Sequence, residues 1–137
     1  HIQDKIIEFS HKINNICDDN LIQPPNINSC LINKYRNGND SIKPHRDTID
    51  SFGIYPTIIG LSIGAERNIS IKKINYDPNN IRSLKHDSNT ELNMDIPLED
   101  NSIFVMAGAS QKYFTHEIPK HTNNDVRYSL TFREYIY

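Results

Sequence analysis

At 137 residues the chain has the length of one domain and can bury roughly 68–70% of its unfolded surface, so neither disulfides nor a structural metal is needed to hold a core. Apolar residues at 36% and charged ones at 23% exclude a mainly disordered chain, and 15 Lys and Arg against 17 Asp and Glu, net −2, exclude an overall basic field. Nucleic acid, if bound, is held locally.

Cys17 and Cys30 show no Cys-x-x-Cys spacing. That fits neither a disulfide framework nor a zinc knuckle, and points to a reducing, intracellular compartment, cytoplasm or nucleus. No apolar run approaches the ~18–20 residues of a membrane span, so no membrane partner is expected. His1 opens the chain without an initiator Met or signal-peptide layout, which predicts a single domain over 1–137 that lacks upstream residues.

In chain order, Ile6, Phe9, Ile13 and Ile16 recur at spacings of three and four and predict a helix from about Asp4 to Cys17, broken by Asp18-Asp19-Asn20. After Pro24-Pro25 the period becomes two. Cys30 and Ile32 face one way, while Leu31, Asn33 and Tyr35 face the other. Short strands are predicted at Thr57 to Ile63, Asn68 to Lys73, Thr90 to Met94, Ser102 to Met106 and Tyr128 to Tyr135. Asp77 to Asn89 reads as a loop between strands. Helical periodicity does not reappear. The expected architecture is mainly β, a compact jelly-roll preceded by one packing helix.

His45-Arg46-Asp47 sets an imidazole and a carboxylate two apart, on one side of an extended segment if Pro44 keeps the backbone out of helix. Alone, the pair reads equally well as a loop histidine beside an acid. One more histidine from a distant strand would complete a two-His, one-carboxylate face for Fe(II), with coordination positions left open. His116 is the leading candidate, because it follows the Ser102–Met106 run and the turn at Gly108. His1, His11, His86 and His121 lack that setting, and the loop histidines His86 and His121 are expected to be solvated.

Arg127-Tyr-Ser-Leu-Thr-Phe-Arg133 alternates so that Arg127, Ser129, Thr131 and Arg133 share a face. Two arginines leaning toward each other along about 20 Å of strand would leave a gap suited to a short dicarboxylate. The plainer alternative is a strand face turned to water.

With Leu31-Ile-Asn-Lys-Tyr35, His45-Arg-Asp47, Gly60-Leu-Ser-Ile-Gly64, the Gln111 to His116 run and Arg127 to Arg133 standing in that order, the chain resembles the AlkB-like family of Fe(II)- and 2-oxoglutarate-dependent dioxygenases. The likeness spans nearly everything from Ser29 to Tyr137. The Asn37–Ile42 segment and the ending Phe132-Arg-Glu-Tyr135 look closest to members that demethylate nucleic-acid bases. The resemblance implies a double-stranded β-helix, cupin-like in outline.

It further implies that His45, Asp47 and His116 bind iron and form the catalytic centre. Arg127 and Tyr35 would hold the distal carboxylate of 2-oxoglutarate, and Asn33 and Arg133 its metal-chelating end. Ser129 stands where some members have asparagine and keeps a hydrogen-bonding group of shorter reach. The implied reaction consumes O2 and 2-oxoglutarate and oxidises an N-methyl group on DNA or RNA, releasing formaldehyde, succinate and CO2. The implied partner is single-stranded or flipped-base nucleic acid, and a monomer is expected.

Several base-demethylating members carry an acid two positions after the aspartate ligand. Here that position is Ile49, and the acid has moved to Asp50. The family's nucleotide-gripping lid, which normally precedes the matched segment, is not visible in the first thirty residues. Lys34, Arg36, Lys43 and Arg46 form a local basic set that could reach phosphate, Arg36 and Arg46 being named with Asp50 as substrate contacts. Two alternatives stand beside this reading. One is a dioxygenase acting on a protein or small molecule; the other is an inactive metal-binding module of the same fold.

Overall fold

The computed structural model describes residues 2–19, 22 and 25–136, and their side chains apart from those of 2–7 and 10. His1 and the side chain of Ile6 therefore lie outside the described residues. The elements run α1 (Ile2–Asp19), β1 (Ser29–Tyr35), β2 (Ile42–His45), α2 (Ile49–Phe52), β3 (Ile58–Gly64), β4 (Arg67–Lys73), β5 (Met94–Leu98), β6 (Ile103–Met106), α3 (Ser110–Tyr113), β7 (Phe114–Ile118) and β8 (Arg127–Arg133).

Two four-stranded sheets result, ordered β1-β8-β3-β6 and β2-β7-β4-β5, with every pairing antiparallel. The chain changes sheet at each step except β4 to β5, which is the jelly-roll pattern of a double-stranded β-helix.

Each face of the first sheet has its own apolar partner. On the inner face Tyr35, Ile69, Leu98 and Ile118 form a buried cluster joined by Ile42, Phe104 and Met106. On the outer face α1 lays Phe9, Ile13 and Cys17 against Ile59 and Phe132, with the Phe9 and Phe132 rings 4.8 Å apart. After Ile13 it is Cys17 that is fully buried, where the predicted stripe continues at Ile16, which is half-buried. The helix runs through Asp18 to Asp19, past the predicted break. Cys17 and Cys30 are both free thiols, the second exposed. No helix among the described residues is long and apolar enough to cross a membrane.

Three expectations are corrected. Thr90 to Met94 is not a strand; β5 starts at Met94. The preceding residues spend their backbone donors locally, Asn89 N–H on Asp87 Oδ1 and Glu91 N–H on Asn89 Oδ1, both at 2.9 Å. The real strand contains Pro97, tolerated because β5 pairs only with β4 and is a sheet edge. Helix does reappear, as the four-residue α2 and α3, each too short to show a period. Finally, Phe114–Ile118 is a strand interior to the second sheet.

Gly38 holds two loops together. Its N–H donates to Asn123 O at 2.7 Å and its carbonyl accepts from His121 N–H at 2.8 Å. A Cβ there would sit 2.0 Å from His121 O, so only glycine permits the approach.

Candidate active site

His45 ends β2 and His116 sits opposite it on β7, paired in register, with ring centroids 4.1 Å apart. His45 Nδ1 lies 3.0 Å from Lys43 O. Because a carbonyl only accepts, the proton is on Nδ1 and Nε2 keeps its lone pair for a metal. His116 is buried, and that burial, aided by the neighbouring His45 and Arg133 charges, pushes its imidazole down to about 3. It is neutral at neutral pH, as a ligand must be.

Asp47 lies just beyond β2, its amide N–H donating to the Gln111 side-chain oxygen at 2.9 Å. Its Oδ2 is 2.7 Å from Arg133 Nε, yet neither atom has a partner at hydrogen-bond geometry, and both are buried. One ligand atom from each of His45, Asp47 and His116 falls within 4.8 Å of the others. Two imidazoles with free lone pairs and a buried carboxylate oxygen lacking a hydrogen bond fit a divalent iron-type centre.

From His45 and His116 a cavity of about 150 Å³ runs between the sheets, past Arg133, Thr131, Ser129, Asn33 and Tyr35. A cavity of that order holds a small organic molecule. The β1–β8 ladder sets its polar wall, pairing Asn33 with Ser129 and Tyr35 with Arg127. Arg127 is 1% exposed. Its Nη2 donates to Ser62 Oγ at 2.9 Å, while Nε and Nη1 have no hydrogen-bond partner among the described residues. A buried guanidinium with two unspent donors and no carboxylate beside it is costly unless an anion completes it. Burial lowers its proton affinity and raises that of the Tyr35 phenol, which Arg127 in turn pulls down. Arg127 is therefore an internal cation, not part of a strand face turned to water.

A sequence description of the 2OG-Fe(II) oxygenase superfamily matches residues 1–133. The chain belongs to that superfamily. Its relatives place it on the AlkB-like side. It is 36% identical over 112 residues to the human "Alpha-ketoglutarate-dependent dioxygenase alkB homolog 3", covering 77% of this chain and 36% of that protein. It is 30% identical over 117 residues to the Arabidopsis thaliana "DNA oxidative demethylase ALKBH2", covering 77% and 37%. The chain thus spans little more than a third of the relatives it matches. Oxygenases of this superfamily use Fe(II), 2-oxoglutarate and O2, and the triad and the unsatisfied Arg127 fit the metal and the cosubstrate.

Two site residues of this AlkB-like oxygenase escape sequence reasoning. Arg67, 2% exposed, donates to Asp40 O at 3.0 Å and to Pro119 O, and its Cζ lies 5.5 Å from the Tyr35 ring. Tyr35 is therefore held between Arg67 and Arg127, the latter at 5.1 Å. The alternation Arg67, Ile69, Ile71 was the available signal, since it sends Arg67 inward. Gln111 is the other; no spacing marks it, because its partner is a backbone amide 64 residues away.

The substrate side looks different from the basic set read in the sequence. Arg46 spends Nη1 on Lys112 O at 3.1 Å and Nη2 on Ser83 O at 3.2 Å and on Ile81 O. It pins the 74–93 connection to α3. Arg36 is tied to Asp40 by Nε at 2.9 Å and Nη2 at 2.8 Å, and Lys34 lies over the outward Tyr128 ring. These side chains are engaged within the protein and do not form one phosphate-facing cluster. Asp50 does reach the mouth, a cavity of about 240 Å³ that it lines with His45, Asp47, Ile49, Ile81 and Leu84. Its Oδ2 is 3.6 Å from Arg82 Nη2, both side chains being highly exposed. His86 is also more engaged than a solvated loop histidine, its Nε2 lying 3.2 Å from Thr115 Oγ1.

Proposed function

We propose that this protein catalyses Fe(II)- and 2-oxoglutarate-dependent oxidative demethylation of N-alkylated bases in DNA or RNA. The observation that carries the reading is the cavity between the sheets, lined by His45 and His116 of the triad and by Tyr35, whose ring lies 5.1 Å from the uncompensated Arg127. The relatives' names, an alkB-type dioxygenase and a DNA oxidative demethylase, supply the substrate class.

In this reading His45, Asp47 and His116 hold the iron. Arg127 and Tyr35 take the distal carboxylate of 2-oxoglutarate, and Asn33, Ser129 and Arg133 line the path to its chelating end. Bound Fe(II) and 2-oxoglutarate supply the oxidation by O2, one oxygen atom going to the N-methyl carbon and the other to succinate as CO2 leaves. The protein's own work is orientation. Lys43 O fixes the His45 tautomer, Gln111 fixes the Asp47 backbone, and the buried wall keeps water from the Arg127–carboxylate pair. The hydroxymethyl product collapses to the unmethylated base and formaldehyde. Access is from the mouth beside Ile49 and Asp50, so the base must be unpaired or flipped.

The test is formaldehyde release from single strands bearing 1-methyladenine or 3-methylcytosine, measured with succinate in the same reaction. Equal yields of the two products from methylated strand are expected. Succinate formation driven by a methylated peptide or small molecule, with no formaldehyde from either strand, would replace this reading with a non-nucleic-acid substrate.

A further inference from the structure

Beside the mouth, three tyrosines surround one lysine. Lys112 Nζ lies 4.8 Å from the Tyr76 ring centroid, 5.2 Å from Tyr113 and 5.8 Å from Tyr55. Tyr76 meets Tyr113 edge-on at 5.7 Å. A surface lysine ordinarily extends its ammonium into water. Here it is gathered among aromatic rings, engaged also by the Tyr113 and Tyr55 hydroxyls, and of these rings Tyr55 is 59% and Tyr113 40% exposed.

None of these rings serves either apolar core. The cluster is also wired to the site. Lys112 O accepts from Arg46, Gln111 next to it lines the mouth, and Tyr76 opens the connection whose Ile81 and Leu84 form the mouth's far side.

The occupant follows from the chemistry. A free cation has no place, because Lys112 already fills the space between the rings. A purely anionic peptide would use the ammonium and leave the flat rings unexplained, while an apolar partner would leave the ammonium unexplained. Exposed π-faces around a fixed positive charge suit a strand of alternating bases and phosphates.

We propose that Tyr55, Tyr113 and Lys112, backed by Tyr76, form a stacking platform for single-stranded nucleic acid flanking the base that enters the mouth. Neighbouring bases stack on Tyr55 and Tyr113, and Lys112 pairs with a phosphate between them. The inference rests on the nucleic-acid reading above and names where the strand lies outside the catalytic cavity.

The experiment is fluorescence anisotropy of the protein with labelled single-stranded DNA and RNA of one sequence, the tighter strand naming the polymer. Tyr55→Ala and Tyr113→Ala should each weaken binding about five- to hundredfold, the range for losing one base–aromatic stack. Tyr55→Phe and Tyr113→Phe keep the π-face and lose only a hydroxyl beside Lys112, so each should recover most of the affinity that its alanine variant loses, which separates stacking from misfolding. Lys112→Ala should flatten the dependence of log affinity on log salt by about one phosphate contact.

Alanine variants that bind as tightly as wild type would overturn the platform, as would a wild-type protein with no measurable affinity for either strand. Formaldehyde release decides the parent reading separately. A protein that demethylates but binds equally well without Tyr55 and Tyr113 keeps the function and loses the platform. One that binds through the rings yet releases no formaldehyde does the reverse.

Discussion

Arg133 Nε lies 2.7 Å from Asp47 Oδ2, so the last residue of β8 reaches from one sheet to the acid that follows β2 in the other. Six residues earlier on the same strand, Arg127 faces the opposite end of the cavity beside Tyr35. One strand therefore carries both arginines, with Ser129 and Thr131 lining the cavity between them.

Arg127 gives the sharpest prediction. Arg127→Met removes a buried guanidinium whose Nε and Nη1 have no hydrogen-bond partner among the described residues. Replacing an uncompensated buried charge with an apolar chain is neutral or stabilising, so the melting temperature of the cosubstrate-free protein should hold or rise. The 2-oxoglutarate requirement should rise about ten- to hundredfold, the worth of a charge-assisted bond of roughly 1.5–3 kcal/mol. Arg127→Lys should recover only part of it, because an ammonium cannot make the bidentate pair. Calorimetric titration with 2-oxoglutarate checks all three; identical curves for wild type and Arg127→Met would return this arginine to a structural role.

His116 makes stability of the metal-free protein fall in acid. Its folded value is about 3 against an ordinary 6.5, so between those pH values the unfolded chain binds a proton that the folded one refuses. Stability is then complete above about 6.5 and is lost as pH falls toward 3. At pH 4.5, two pH units below the ordinary value, the loss from this group is about 3 kcal/mol. Urea midpoints of wild type and His116→Gln at pH 7 and pH 4.5 test the sign, since the variant should show a smaller drop. Asp40, held low by Arg36, loses its contribution only below its ordinary carboxylate range and so does not blur this window.

Gln111 is predicted to act on the metal through Asp47. Gln111→Ala leaves the Asp47 amide without its acceptor at 2.9 Å and should weaken binding of Fe(II) or Mn(II) about tenfold. Gln111→Glu keeps an acceptor oxygen in place and should recover most of that loss. Metal titration by calorimetry reads it directly; equal metal affinity in all three proteins would confine Gln111 to packing against Met106.

What the sequence reveals about this protein follows from which signals are local. The strands β1, β3, β4, β6 and β8 are found from the sequence, and in β1 the predicted alternation puts Leu31, Asn33 and Tyr35 on the cavity side. The strand β7 is missed because Phe114-Thr-His-Glu-Ile118 is five residues with two adjacent buried polar side chains, Thr115 and His116, where β3 buries the two isoleucines Ile58 and Ile59. The His-x-Asp pair and the two arginines of β8 announce themselves by spacing. Gln111 does not, because it serves a backbone amide far along the chain, and for Arg67 alternation marks only the inward face and not its backbone partners. Arg46 misleads for the same reason: beside a ligand pair it looks poised for phosphate, while its donors close on three carbonyls.

Asp50 is the residue on which substrate reading turns. The acid expected two positions after Asp47 is replaced by Ile49, yet Asp50 stands at the mouth with an exposed carboxylate that pairs with Arg82. A salt bridge at 3.6 Å between two highly exposed side chains is worth little, so the carboxylate is free to turn to an incoming exocyclic amine. Asp50→Asn keeps the shape but weakens the acceptor, and Asp50→Ala removes it. Both should lower kcat/KM on methylated single strands, the alanine by about ten- to hundredfold, as for a polar contact of roughly 1–3 kcal/mol. Arg82→Ala should leave kcat/KM unchanged or raise it, since it releases the competing partner. Matched initial rates of formaldehyde release from the four proteins carry the test. An Asp50→Ala protein as fast as wild type would mean that Ile49 and the mouth's apolar rim select the base by shape alone.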